Sequence, residues 1–194
     1  MISVTDAAAL ISAGQIVVVP TDTTYGIGAD PGRRSTIAKV FQVKGRPSRK
    51  PLPLLADCPE SLEGIVVWDV PTRKVFEAFW PGPLTLVLQR AEGYTHDLGA
   101  KSDSIAVRVP AHAVTLEILR LTGPLAVTSA NRSGARPALT IPEARSALEP
   151  SIEHFVDGGV CDGGPSTVIS LIGRPELLRE GPVRLEEVLH ALSP

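Results

Sequence analysis

Thr167-Val168-Ile169-Ser170-Leu171-Ile172-Gly173-Arg174-Pro175-Glu176-Leu177-Leu178 constrains the fold more than any other segment of the chain. It holds two apolar runs of strand length, separated only by a Gly-Arg-Pro turn that leaves no room for a crossover helix. A third apolar run, His154 to Val156, lies just upstream. Strands that follow one another this closely pair antiparallel. A purely parallel, doubly wound sheet is therefore excluded.

The chain before this stretch alternates helix and strand. Thr5 can cap a first helix, Asp6 to Ala13, which Gly14 ends, and Ile16 to Val19 follows as a β-branched strand stopped by Pro20. Thr21 to Gly28 reads as a loop dense in hydroxyls and glycine, too polar for the core. Ser35 to Val43 reads as a helix with Ile37, Val40 and Phe41 on one face. Further on, Pro51 to Ala56, Leu84 to Gln89, Ser104 to Val109 and Leu125 to Val127 read as strands. Pro71 to Phe79, His112 to Leu121, Pro142 to Leu148 and Leu185 to Leu192 read as helices. Trp80-Pro81-Gly82-Pro83 is a stiff link, and Asn131 to Thr140 has the composition of a mobile active-site loop. The fold expected is α/β with α+β character: a twisted mixed sheet flanked by helices, with an open cleft.

Composition sets the limits. With 194 residues, 43% hydrophobic and 21% charged, one domain over 1–194 is expected. A net charge of -2 gives no global attraction to nucleic acid, so any RNA contact would be local. The N-terminus lacks a signal sequence and no segment has the roughly 20 apolar residues of a membrane span, which predicts a cytoplasmic protein without membrane contact. Cys58 and Cys161 are expected as reduced thiols. His96, His112, His154 and His190 show no ligand spacing, and no nucleophile elbow or Ser/His/Asp order is present.

Two polar motifs about 85 positions apart carry the chemistry: Lys44-Gly45-Arg46-Pro47 and Thr128-Ser129-Ala130-Asn131. Cations facing a hydroxyl and an amide suit a polyphosphate. Read alone, Lys44 and Arg46 are also a solvated basic helix end, favoured by the helix dipole. Arg108 lies within an apolar strand, between Val107 and Val109 and on the face opposite both. It either pairs with an internal carboxylate or holds an anionic ligand group.

Taken in order, the motifs resemble the YrdC-like family, best known for threonylcarbamoyl-AMP synthases. The resemblance rests on Val19-Pro20-Thr21-Asp22-Thr23 with Tyr25-Gly26, Lys44-Gly45-Arg46-Pro47, Trp80-Pro81-Gly82-Pro83-Leu84-Thr85 and Val107-Arg108-Val109-Pro110. Thr128-Ser129-Ala130-Asn131 with Ser133-Gly134, Pro165-Ser166-Thr167-Val168, and Leu178-Arg179 with Gly181 complete it. It covers roughly residues 5 to 190 and matches the short form of the family.

The resemblance implies ATP with Mg²⁺, L-threonine and bicarbonate as substrates. It implies threonylcarbamoyl-adenylate and pyrophosphate as products, and a downstream transferase machinery that modifies adenosine 37 of tRNA. Lys44 and Arg46 would be catalytic and hold the triphosphate at the surface of the cleft, so that alanine there spares the fold. Ser104, Asn131, Thr140 and Arg179 would surround the nucleotide. Arg108 would take the threonine carboxylate, with Thr23, Ser129 and Ser166 around its hydroxyl and amine and Tyr25 as a pocket wall. Two positions depart from the longer members: Lys50 stands where those tend to have asparagine, and Leu55 where they carry histidine. Both departures resemble the short bacterial members, including YciO-type paralogues. The family also implies a second reading, a module that binds double-stranded or ribosomal RNA through a concave basic face.

Overall fold

The computed structural model describes residues 1–45, 50–99, 102–161 and 163–193. Helix α1 (Val4–Ser12) starts two residues earlier than the threonine signal suggests. Its cap is Ser3, whose Oγ accepts from the Asp6 backbone N–H at 3.1 Å, while the Asp6 carboxylate accepts from the Ser3 backbone N–H at 3.3 Å. Two otherwise orphaned donors are thus satisfied reciprocally, which Thr5, already inside the helix, does not do. Ser3→Ala is expected to lower unfolding stability by about 1 kcal/mol in chemical denaturation, with Thr5→Ala within a few tenths of wild type.

After α1 come β1 (Val17–Val19), β2 (Gly26–Ala29), α2 (Arg34–Lys44), β3 (Leu54–Leu55), β4 (Val66–Val67), α3 (Val70–Phe79), β5 (Leu84–Arg90) and β6 (Ser104–Arg108). The chain continues through α4 (Ala113–Thr122), β7 (Leu125–Ser129), α5 (Ile141–Leu148), β8 (Thr167–Ser170), β9 (Glu176–Arg179) and α6 (Leu185–Leu192). Asp69 caps α3, and Gly45, with φ of 60°, ends α2 in the left-handed region.

All described strands join one mixed sheet in the order β1-β2-β7-β3-β6-β5-β8-β9, with β4 paired to β5. β8 and β9 are antiparallel, as the short Gly-Arg-Pro turn requires, while β3/β6 and β5/β8 are the parallel pairs. The run at 154–156 forms only a bridge, Val18 to Phe155. The loop expected at 21–28 holds over 21–25, where Thr21, Thr23 and Thr24 are nevertheless buried, and is overturned beyond it by strand β2, in which Gly26 to Gly28 pair with β1 and Gly26 to Ala29 with β7. Glycine is needed at 26 because a Cβ there would lie 2.6 Å from Val127 Cγ1.

The sheet buries its two faces unequally, and that inequality makes the cleft. One face carries Leu54, Leu84, Leu86, Leu88, Ile105, Val107 and Ile169, packed under residues of α2, α3, α5 and α6. On the other face Ala7 and Ile11 of α1 and Ile118 and Leu119 of α4 cover Val17, Val19, Leu55, Leu125 and Val127. That second layer extends over β1, β2, β7 and β3 only. Beyond it, the same face of β6, β5 and β8 is left uncovered, and its side chains become a floor. No helix among the described residues is long and apolar enough to cross a membrane.

Candidate active site

Strand alternation decides which residues reach this floor. Leu86 pairs with Val107 on the core side, so one step along each strand puts Thr85 beside Arg108 on the opposite side. Thr85 pairs in turn with Val168, Val168 with Arg179, and Leu55 with Arg108. One row across five strands therefore reads Leu55, Arg108, Thr85, Val168, Arg179. Above it lies a cavity of about 300 Å³, walled by Thr23 and Thr24 from the 21–25 turn, Ser129 from the end of β7, Pro137, and Pro165-Ser166.

Arg108 is 5% exposed and fixed from three sides. Its Nε donates to the Gly82 carbonyl at 2.9 Å, Nη1 to Thr23 Oγ1 at 3.0 Å and Nη2 to Asp22 Oδ1 at 2.5 Å. Both readings of this cation meet here: it has its internal carboxylate, and it lines the cavity. A guanidinium carries five N–H donors, so three bonds leave two for a ligand. The stiff Trp80-Pro81-Gly82-Pro83 link aims the Gly82 carbonyl, with Trp80 Nε1 bonded to Leu84 O at 2.7 Å and its ring stacked on Phe76 at 4.5 Å.

Arg179 approaches from the far edge. Its Nε donates to Ser166 O and its Nη2 to Ser166 Oγ, both at 2.9 Å. Among the described residues no carboxylate pairs with it. Burial, and then the charge of Arg108, pull the Arg179 guanidinium below its usual range. Burial likewise lowers Arg108, with Asp22 opposing. Guanidiniums stay protonated under such stress, so the cavity holds two cations against one carboxylate and favours an anionic group. Gly181 permits the approach, because a Cβ there would sit 2.4 Å from Thr167 N and 2.7 Å from Pro165 O.

The 21–25 turn is rigid through one hydroxyl. Thr21 Oγ1 donates to Thr24 O at 2.6 Å and accepts from the backbone N–H groups of Thr23 and Thr24. That arrangement aims Thr23 at Arg108.

Lys44 is not a solvated helix end: it is 3% exposed. Its Nζ donates to Ser129 O, to Asn131 O at 2.8 Å and to Asn131 Oδ1 at 3.1 Å, matching the three N–H of an ammonium. It ties the end of α2 to the loop after β7. Ser129 Oγ also donates to Asn131 Oδ1, at 2.5 Å, and Asn131 Nδ2 donates to the carbonyls of Arg132 and Ala135. With Ser133 N bonded to Lys44 O and Tyr25 N to Ala138 O, the 131–140 segment expected to be mobile is pinned at several points.

Thr23, Arg108, Ser129, Ser166 and Arg179 thus converge on one cavity, and Lys44 and Asn131 brace its rim. Arg46 and Pro47 lie outside the described residues. Three other expected residues stand apart from the lining. Tyr25 is fully buried, and its hydroxyl donates to Gly159 O at 2.8 Å and accepts from Gly158 N at 3.2 Å, so it braces the 157–159 turn instead of walling the pocket. Thr140 caps α5 by accepting from Glu143 N. Ser104 lies four residues along β6 from Arg108, roughly 13 Å away at 3.3 Å per residue, with its hydroxyl 3.0 Å from that of Ser102. Conversely, Asp22 and Thr85 were visible in the sequence only as parts of motifs. Alternation from Leu84 and Leu86 would have put Thr85 on the face of Arg108.

The family model described as Sua5/yciO/yrdC, telomere recombination, matches residues 9–181. The chain belongs to this family. A Mycobacterium tuberculosis relative, provisionally named threonylcarbamoyl-AMP synthase, is 39% identical over 194 residues, covering 98% of this chain and 89% of its own. A Pyrococcus abyssi protein named threonylcarbamoyl-AMP synthase is 37% identical over 187 residues, 94% of this chain and 55% of that one. The crystal structure of P. abyssi Sua5 complexed with L-threonine superposes with a TM-score of 0.91 at 36% identity, over 97% of this chain. This Sua5-family chain spans 56% of that archaeal chain. Both relatives carry a synthase name, and the protein is an enzyme of that family.

Proposed function

We propose that this protein is an L-threonylcarbamoyladenylate synthase, a nucleotidyltransferase that converts L-threonine, bicarbonate or CO₂ and MgATP to threonylcarbamoyl-AMP and pyrophosphate. The observation that carries the reading is the pair Arg108 and Arg179, a buried guanidinium held by one carboxylate and a more exposed one with none among the described residues, over a floor of small apolar and hydroxyl side chains. A zwitterionic amino acid with a short hydroxylated side chain matches it in charge and size. Its carboxylate takes the remaining N–H groups of Arg108, and its side chain lies toward Ser166 and the apolar floor.

The amine, once deprotonated, adds to CO₂ and forms a carbamate. A carbamate oxygen then attacks the α-phosphorus, the bond to the β-phosphate oxygen breaks, and pyrophosphate leaves. No side chain needs to become covalently bonded. Positioning and charge neutralisation supply the catalysis. Lys44 holds Ser129 and Asn131 at the nucleotide end of the cavity, and Arg46 follows α2 as the residue for the triphosphate. The Mg²⁺ enters on the triphosphate as part of the substrate, a mode that needs few protein oxygens. The Ser129 hydroxyl at the rim is an oxygen of the right hardness for it.

The product is a mixed carbonic–phosphoric anhydride, prone to hydrolysis, and passes to a transferase that acts on adenosine 37 of tRNA. The test is pyrophosphate release by the purified protein with ATP, Mg²⁺ and bicarbonate. Release that depends on L-threonine is expected, and release that ignores threonine, or none at all, overturns the proposal.

A further inference from the structure

Ser166 is held by two partners on one side and faces the cavity on the other. Its hydroxyl oxygen is 2.8 Å from Thr85 Oγ1 and accepts from Arg179 Nη2 at 2.9 Å. Ser166 is 4% exposed and Thr85 6%, and both line the cavity. A hydroxyl offers one proton and two lone pairs. Arg179 takes one lone pair. Thr85 takes either the other lone pair or the proton, and in each arrangement one position of Ser166 remains, in a direction set by the other two.

We infer that Thr85 is a positioning residue for substrate choice: through Ser166 it aims that remaining position at the side-chain hydroxyl of the amino acid. The inference rests on the synthase reading and deepens it. A ligand hydroxyl both donates and accepts, so it fits Ser166 in either arrangement, whereas a methylene in its place leaves the remaining position of this buried hydroxyl unfilled. That penalty is what lets a polar site reject an analogue lacking the group. Thr85 is suited to the task by its place in the sheet. It stands between Arg108, which would hold the carboxylate, and Val168, so the distance from carboxylate site to hydroxyl site is set by strand register and not by a loop.

The experiment compares L-threonine with L-2-aminobutyrate, the same amino acid without the hydroxyl, as kcat/KM for pyrophosphate release. In T85V, which keeps the shape and loses the hydroxyl, the threonine preference is expected to fall at least about tenfold. T85S is expected to restore it to within about threefold of wild type. Thermal unfolding monitors the fold, and if T85V does not fold, T85A tests the same hydroxyl. A T85V protein that is active with the wild-type preference overturns the inference alone, as does T85S failing to restore what T85V loses. A wild-type protein without threonine-dependent release overturns the synthase reading and this inference with it.

Discussion

Replacing Arg108 by glutamine is expected to raise the threonine KM by at least about 100-fold and to lower stability by about 3 kcal/mol, the scale set by breaking one side of a buried ion pair. The two effects have different origins. Stability falls because Asp22, whose side chain is only 15% exposed, loses its cation, and because the Gly82 carbonyl and Thr23 hydroxyl lose donors. Affinity falls because the two N–H groups left for a ligand are gone. The double variant D22N/R108Q separates them: removing both charges should return much of the stability measured by denaturant unfolding and none of the threonine affinity. Recovery of both would make Arg108 a purely structural partner of Asp22. Lysine at 108 should fare little better than glutamine, since one ammonium offers three N–H where the site already uses three before a ligand arrives.

Lys44→Ala is expected to cost about 3 kcal/mol of stability and to abolish activity, the reverse of what a surface cation would do. The ammonium satisfies the Ser129 and Asn131 carbonyls and the Asn131 side chain inside the fold. Removing it takes the donor from the Asn131 carbonyl and one of two donors from Ser129 O and Asn131 Oδ1, which keep the Asn131 N–H and the Ser129 hydroxyl; a hydrogen bond to a charged group is worth about 1.5–3 kcal/mol. The midpoint of urea unfolding should fall with the slope unchanged. Lys44→Met, which keeps the apolar stem, should lose nearly as much stability, because the donors and not the methylenes tie α2 to the loop after β7.

The elements that were legible in the sequence are those whose signal is local. Ile37 and Val40 mark the buried face of α2, the β-branched run at 17–19 is β1, and the Gly-Arg-Pro turn at 173–175 does make the last two strands antiparallel. What escaped depends on distant partners. Strand β2 carries two glycines in four residues, a poor strand signal, and is a strand only because β1 and β7 flank it. Thr21 does close a local turn onto Thr24 O, but the bond from Arg108 to Thr23 spans 85 positions and no local pattern reveals it.

The site follows the same division. Arg108 stood out as a cation in an apolar strand, and the structure gives it both a carboxylate and a cavity. Lys44 read more simply as a solvated helix end because its acceptors lie about 85 residues away in sequence. That the face of β6, β5 and β8 is open while its neighbours are covered follows from where α1 and α4 dock, and a helix's own periodicity does not say how far along a sheet it reaches.

In the proposed reaction the uncovered half of the sheet receives the amino acid, with its carboxylate on Arg108 and its hydroxyl toward Ser166. A crystal structure of the protein grown with L-threonine tests it most directly. Threonine is expected in the cavity between Arg108 and Arg179, with a carboxylate oxygen within about 3 Å of the Arg108 guanidinium. Threonine bound elsewhere, or in this cavity with its carboxylate turned away from Arg108, would contradict it.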